Sequence, residues 1–488
     1  MNSAEPEDAT VTVVGAGPAG LAATVAAVRA GLRVTLIDAG TRIGGQYWRH
    51  GVAGLAADAD LHHETEEFAA LDGRLRAAIA AGTVQHLAEH QVWSLAVTDT
   101  EVTVHAVDRS QPGQAAETTV RSASLILATG AYDRQIPFPG WDLPGVMTVG
   151  GAQALLKGNG VAVGPRVLVA GTGPFLLPVA AGLARRGAQV VGVHDTNSGA
   201  GWLRHLPAVA TAPRKLAEAA GYAATLARYR IPFRPRSQVL AAHGRERLEA
   251  VTVAGVGSSG APRSLRRRRI PVDVLAIGYG FTAQAELAAV AGCEIRPTAD
   301  KTLAVVVDDE QRTTRPRVFA AGEITGVGGS QLAVVEGELA AAGVIRAAGS
   351  TGSTGEVDPT ALRRRRDRLR RFATALHQIY PVPERWADEL KPDTVVCRCE
   401  EVTAADIGDA VELGARDPRT VKLLSRSGMG WCQGRVCGYA TAALTARLTG
   451  GELNLTGSAG RPVAGPIPLG LVAGLAPATT LPTAPERT

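Results

Sequence analysis

Cysteine is scarce in this chain and unevenly spread: there are five in 488 residues, four of them crowded between Cys397 and Cys437 and one, Cys293, alone. So few exclude a disulfide scaffold in a chain of this size. The lone Cys293 reads as a small buried apolar residue, and the crowded four as a ligand set. Also missing is a basic stretch leading into a short apolar run behind the acidic opening MNSAEPEDAT, so the expectation is a cytoplasmic protein without a secretory signal. The longest apolar run, Val167 to Ala184, is broken by Gly171, Thr172, Gly173 and Pro174 where a strand would turn, and this argues against a transmembrane segment.

Nucleic acid is a poor fit as a partner. The basic residues behind the net charge of +5 concentrate in two runs, Arg266 to Arg269 and Arg363 to Arg366, the latter followed by Arg368, Arg370 and Arg371. Neither run is interleaved with aromatics on which bases could stack. Both read as solvated faces or protein docks. What the chain does have is length and apolar content: with 45% hydrophobic residues it can fill several cores, about three domains on the usual length scale.

The first motif lies near the start. A β-branched run at residues 11 to 14 is followed by Gly15-Ala-Gly17-Pro18-Ala19-Gly20 and a helical stretch from Leu21 to Ala30. Gly15 permits a tight turn, Gly17 lets backbone approach a pyrophosphate, and Gly20 lets the helix pack on the sheet. A strand at Arg33 to Ile37 then delivers Asp38, a carboxylate at the offset that suits ribose hydroxyls. Strand, turn, helix and acid together predict a dinucleotide site, with phosphates on the helix N-terminus.

Three later segments, in order, resemble those of the two-dinucleotide-domain flavoproteins such as glutathione and thioredoxin reductases. Gly44-Gly45-Gln46 resembles a flavin-side glycine pair, Ala128-Thr129-Gly130-Ala131 a strand-end turn, and Val318 to Gly322-Glu323 the second flavin-binding strand. The resemblance implies FAD, and Val92 joins this candidate cofactor set. That last family motif usually ends in Asp bonding the ribityl chain; Glu323 would reach with one more methylene. Gly326 to Gly329 lead into a helix expected from Ser330, whose positive end would face the flavin pyrimidine edge.

A second strand, turn and helix begins at Arg166 to Ala170 with Gly171-Thr-Gly173-Pro-Phe-Leu176. Leu176 stands where the third glycine belongs, and counting from the first glycine makes His194 the counterpart of Asp38, with Asp195 next to it. Gly171 and Gly173 are candidate cofactor residues. NAD(P) binding and a dinucleotide fold retained only for packing stand as equal readings. The strand Asp273 to Gly280 would return the chain to the first domain. Neither dinucleotide domain contains a Cys-x-x-Cys pair, which argues against thiol–disulfide reduction.

At the C-terminal end, Cys397-x-Cys399 and Cys432-x4-Cys437 form a four-thiolate set suited by spacing to zinc or to an iron–sulfur cluster. The surrounding residues, Cys397-Arg-Cys399-Glu-Glu, a capped helix at Thr403-x-x-Asp406, and Ser427-Gly-Met-Gly-Trp-Cys432-Gln-Gly-Arg-Val-Cys437-Gly, resemble the bacterioferritin-associated ferredoxin-like [2Fe-2S] domain. That implies a [2Fe-2S] cluster, with Gly428, Gly430, Gly434 and Gly438 admitting backbone N–H groups toward the sulfurs. Ahead of it come a Ser/Thr/Gly linker, Gly349 to Gly355, and a helix with Leu362, Leu369, Phe372, Leu376 and Ile379 on one face and arginine on the other. This reads as a connecting arm or a dock for an acidic partner. The tail from Gly450 reads as disordered or as a strap across another subunit.

The fold class is therefore α/β: two Rossmann-like dinucleotide-binding domains, one inserted in the other, plus a small α-rich [2Fe-2S] domain. The expected division is an FAD domain at 9–145 and 284–348, an inserted NAD(P)-like domain at 146–283, linker and helix at 349–392, the [2Fe-2S] domain at 393–449 and the tail at 450–488. This order, with Pro137 to Met147 and Gly151-Ala-Gln-Ala-Leu155, resembles the larger subunit of bacterial opine oxidases, cyanide synthase and hydroxyproline dehydrogenases. The resemblance implies an electron-transfer subunit of a heteromeric amino- or imino-acid dehydrogenase or oxidase. Its partner would be an amine-oxidase-like flavoprotein subunit; a small ferredoxin-like subunit is a further candidate, and its acceptor could hold it at a membrane surface. A stand-alone NAD(P)H-dependent reductase feeding its own cluster is the alternative, and a non-enzymatic scaffold a third reading. His50, His62 and His63 follow the flavin-side glycines, but isolated histidines are more often ordinary residues than catalysts, and no catalytic acid or base is nominated.

Overall fold

The computed structural model describes residues 10–52, 54, 60–111, 113, 115–199, 201–207, 213–257, 260–349, 358–458 and 463–473. Most of the Gly349 to Gly355 linker and the end of the tail lie outside them.

β-Branched runs form the central strands, and glycine turns feed each into a helix. Strand Thr10–Val14 pairs in parallel with Arg33–Ile37 on one side and Ser124–Leu127 on the other. Val84–Leu87 and Val318–Ala320 complete a five-stranded parallel sheet. Its inner strands Thr10–Val14 and Ser124–Leu127 are buried on both faces, as a parallel sheet covered by helices requires. The Pro18–Arg29 helix starts at Pro18, three residues before the expected Leu21, because proline is suited to a first helical position. It packs closely against the long helix Ser330–Ala347. That contact needs Gly337, where a Cβ would come within 2.1 Å of the Ala19 carbonyl oxygen.

A second five-stranded parallel sheet contains Arg166–Gly171, Gln189–Asp195, Phe233–Pro235, Val274–Gly278 and Val146–Thr148. The run that looked long enough for a membrane becomes strand Arg166–Gly171 and helix Leu176–Arg185. Among the described residues no helix is long and apolar enough to cross a membrane.

Each sheet has an antiparallel three-stranded companion, His90–Val97 with Val102–Asp108 and Ala116–Ser122 in the first, and Ser237–His243 with Ala250–Val256 and Pro262–Pro271 in the second. The C-terminal module is a short hairpin, Val395–Cys397 with Val402–Thr403, and helices Ala404–Glu412, Pro418–Ser425 and Gly438–Thr449. Its first helix carries the expected capping box, with Thr403 and Asp406 each bonded to the other's backbone N–H.

Candidate cofactor sites

The first glycine turn is built so that only glycine fits. Gly15 has φ +107°, and a Cβ there would lie 2.2 Å from the Ala128 carbonyl oxygen; one at Gly20 would lie 1.7 Å from that of Gly15. Gly45, at φ +59°, would put a Cβ 2.8 Å from Gly17 Cα, and Gly44 N–H donates to the Ala16 carbonyl at 2.8 Å. A Cβ at Gly322 would meet that of Ala19 at 2.9 Å. Four segments far apart in sequence thus meet around Gly17, Pro18 and Ala19, leaving bare backbone facing the start of a helix. This fits the pyrophosphate of a dinucleotide. Asp38 accepts from the Ala16 N–H at 2.5 Å and the Gly40 N–H at 2.6 Å, while burial pushes its carboxyl above the usual range.

The remaining candidates are distributed around that turn. Thr129 donates to the Gln284 carbonyl at 2.7 Å and Gln284 N–H donates back to Gly130, lacing the strand-end turn to the returning chain. Gln46 is exposed and accepts from Arg49. Val92 is buried in a core cluster with Val14 and Ile37, the last residues of two central strands. Cys293 is buried in the same cluster and donates to the Thr313 hydroxyl, matching its expected role.

The Ser330 helix begins where expected, and two carboxylates occupy its positive end. Glu323 accepts from the N–H groups of Gly328 and Gly329, at 3.2 and 2.7 Å. Glu64, held at φ +57°, accepts from the Ser330 hydroxyl at 2.8 Å and the Gln331 amide at 2.5 Å. Tyr47 lies within hydrogen-bond reach of Glu64 and Ser330, and Lys157 donates to the Tyr47 carbonyl at 3.0 Å, with burial drawing its ammonium down to about 8. Glu64, Tyr47 and Lys157 carry no motif and were missed in the sequence; a shared location across three elements leaves no spacing signal. Of the flagged histidines, His63 meets the Tyr222 hydroxyl at 2.5 Å and His50 meets the Trp48 carbonyl.

In the second unit the counterpart of Asp38 is Asp195, which corrects the count that pointed to His194. The pairing of strands Arg166–Gly171 and Gln189–Asp195 shifts by one residue between Val167 and Leu168, so Gly171 lies opposite Asp195. Asp195 repeats the habit of Asp38, accepting from the glycine turn, at Gly173, and from the residue two ahead, Asn197. Burial raises its carboxyl to about 6. His194 instead lies buried against the Ser237 hydroxyl at 2.7 Å.

The four C-terminal cysteines stand two and two. Cys397 is within hydrogen-bond reach of Cys437, and Cys399 of Cys432. Each iron of a [2Fe-2S] cluster takes two thiolates, and two such pairs side by side supply that number. The Cys437 thiol, together with backbone N–H groups of Gly428, Glu400 and Cys399 that point at the Cys397 sulfur, holds the Cys397 thiol below the usual range. Gly430 is required for another reason, since a Cβ there would lie 2.2 Å from that of Cys399. Gly438 opens the last helix, and its N–H donates to the Gly434 carbonyl at 2.7 Å.

Contacts between modules explain motifs that carried no chemistry. Trp141, inside the Pro137 to Met147 segment, donates its indole N–H to the Val395 carbonyl at 2.6 Å, and the Arg398 guanidinium lies 5.2 Å from its ring centroid. Ile136, Phe138 and Trp141 share one core with Val396, Cys397 and Cys437. On the other side Arg435, between two cysteines, pairs with Glu286 at 3.0 Å, and Glu286 also accepts from Tyr132. The three residues line a cavity of about 110 Å³. Arg435 also donates to the Ala464 carbonyl, and Ala464 N–H donates to the Trp93 carbonyl at 2.7 Å. The described part of the tail is therefore a strap across its own chain.

Residues 9–344 match the family model of the pyridine nucleotide-disulphide oxidoreductases, and residues 395–447 that of the BFD-like [2Fe-2S] binding domain. The hydrogen cyanide synthase subunit HcnB of Pseudomonas protegens is 32% identical over 453 residues, 88% of this chain and 91% of that one. An opine oxidase subunit of Agrobacterium tumefaciens is 32% identical over 436 residues, 87% of this chain and 83% of that one. Among solved structures, L-proline dehydrogenase from P. horikoshii shares the fold, with a TM-score of 0.61 at 19% identity over 93% of this chain and 77% of that chain.

Proposed function

We propose, on the premise that this chain belongs to the pyridine nucleotide-disulphide oxidoreductase family, that it receives electrons which a partner flavoprotein takes from an amino or imino acid. It is an FAD-dependent oxidoreductase with a [2Fe-2S] module, and its relatives are subunits of multi-subunit enzymes. FAD accepts one or two electrons and the cluster one at a time, which suits a relay. The observation that carries the reading is the four-cysteine set, paired two and two, in a chain whose dinucleotide domains hold no redox thiol pair.

The chain's own residues supply binding and alignment. Gly17 and Gly45 bring backbone to a dinucleotide, and Asp38 offers a carboxylate beside it. Glu323, Glu64 and the Ser330 helix start place two carboxylates against one helix dipole, moderating the positive field there. Trp141 and Arg435 hold the cysteine module from two sides, so the cluster position is set by packing and ion pairing.

The substrate class proposed is an opine, hydroxyproline, proline or glycine donor, of which the opine is named by a relative, and the partner would be an amine-oxidase-like flavoprotein. The test is anaerobic reconstitution of this chain with that partner and each donor in turn, reading flavin bleaching and the paramagnetic signal of the reduced cluster. Reduction of both centres only when partner and donor are present is expected. Full reduction of the isolated chain by NADH or NADPH at a catalytic rate would instead establish the stand-alone reductase.

A further inference from the structure

The second dinucleotide unit keeps the turn, the acid and the strand order of a nucleotide site, yet something already lies across it. The arm helix Pro359–Ile379 ends there. A Cβ at Gly173 would stand 3.9 Å from Tyr380 Cβ, at the turn where backbone would otherwise meet a pyrophosphate. The Tyr380 hydroxyl accepts from the Trp202 indole at 2.8 Å, and the two rings meet edge to face with centroids 6.1 Å apart. Asn197, two residues beyond Asp195, donates its side-chain amide to the Pro381 carbonyl at 3.2 Å. Ile379 closes the same side, so that a Cβ at Gly201 would lie 3.1 Å from its side chain.

We propose that the second dinucleotide cleft is a receptor for this chain's own arm: Ile379, Tyr380 and Pro381 occupy the nucleotide seat and thereby exclude NAD(P)H. The reasoning rests on place rather than on the missing third glycine. Of the positions that would serve pyrophosphate and ribose, Gly173 and Asn197 meet the arm directly, and Asp195 accepts from the backbone N–H of both. An intrachain ligand acts at the effective concentration of a tethered group, so a nucleotide sees only the fraction of molecules with the arm lifted, and its apparent affinity falls by that fraction. The arm also leads directly into the cysteine module, so a cleft of the kind that suits a diffusible reductant here anchors the segment leading to the cluster. This does not depend on which amine is oxidised or on any partner.

The test is calorimetric titration of the full chain, holding FAD and cluster, with NADH and NADPH. Wild type is expected to show no saturable binding at millimolar nucleotide, and Tyr380→Ala to bind at least tenfold more tightly. Should Tyr380→Ala lose its cofactors, Trp202→Phe removes only the indole that holds the hydroxyl and should shift affinity in the same direction. Two results would overturn the proposal. One is a wild-type protein that binds NADH while hydrogen exchange of residues 379 and 380 stays unchanged. The other is a cofactor-replete Tyr380→Ala, or Trp202→Phe in its place, that binds no better than wild type.

Discussion

Arg370 on the arm helix is ion-paired to Glu336, a carboxylate only 1% exposed in the helix that starts at Ser330. Glu336 also accepts from the Gly322 N–H at 3.0 Å and the Thr325 hydroxyl at 2.7 Å, and Arg370 donates to the Gly326 carbonyl at 2.6 Å. One arginine therefore ties the arm to the turn that carries Glu323. The run to which it belongs is not a free basic face: Arg363 pairs with Glu310 and Arg366 with Asp309. Removing one partner of a buried pair leaves the other charge without compensation, which costs about 3 kcal/mol. Arg370→Ala should lower the melting temperature and loosen FAD. Glu336→Gln, which keeps the hydrogen-bond acceptor, should cost less in the same melt.

Gly45→Ala tests the flavin-side glycine pair. The added Cβ meets Gly17 Cα at 2.8 Å and the residue sits at φ +59°, where a non-glycine residue costs about 1 to 3 kcal/mol. The expected outcome is folded protein with little flavin and a full complement of iron, measured as flavin and iron per chain.

Gly430→Ala should do the reverse. Its Cβ would stand 2.2 Å from that of Cys399 and displace one sulfur of the second pair. Iron content and the rhombic paramagnetic signal after dithionite should be lost while flavin is retained. Cys397→Ser and Cys437→Ser should share that result; zinc in place of iron in anaerobically prepared wild type would refute the cluster assignment.

Asp195 makes stability depend on pH with a definite sign. Its carboxyl keeps a proton up to about 6 in the folded chain, whereas in the unfolded chain it releases one near ~3.9. The folded state thus binds more protons between these values, and stability falls as pH rises from about 4 to about 6, then stays reduced. Asp195→Asn should be close to neutral at pH 4 and stabilising at pH 7, by an amount on the order of 2 kcal/mol, read as a difference in denaturant midpoint.

Local signals were legible where one segment does the whole job. Strand Arg33–Ile37, the helix starting at Ser330, the Thr403–Asp406 capping box and the two glycine turns depend on neighbours in the chain, so residue type and spacing reveal them. The count to His194 failed for a reason that spacing cannot show, since the pairing shift beside Val167 exists only once two strands lie together. Glu64, Tyr47 and Lys157 are individually ordinary and meet around Tyr47 only when a turn, the cap of one helix and the body of another are packed together.

By itself, then, the amino-acid sequence determined what this protein can hold: glycines whose missing side chains admit a dinucleotide, and four thiols of the kind that bind iron. Tertiary structure alone decided how those parts are used. It paired the sulfurs two and two, turned the tail and the arginine helix back onto their own chain, and laid Tyr380 over the second glycine turn. Which polar groups meet depends on long-range packing of buried surface, and that free energy belongs to the assembled cores rather than to any short stretch of residues.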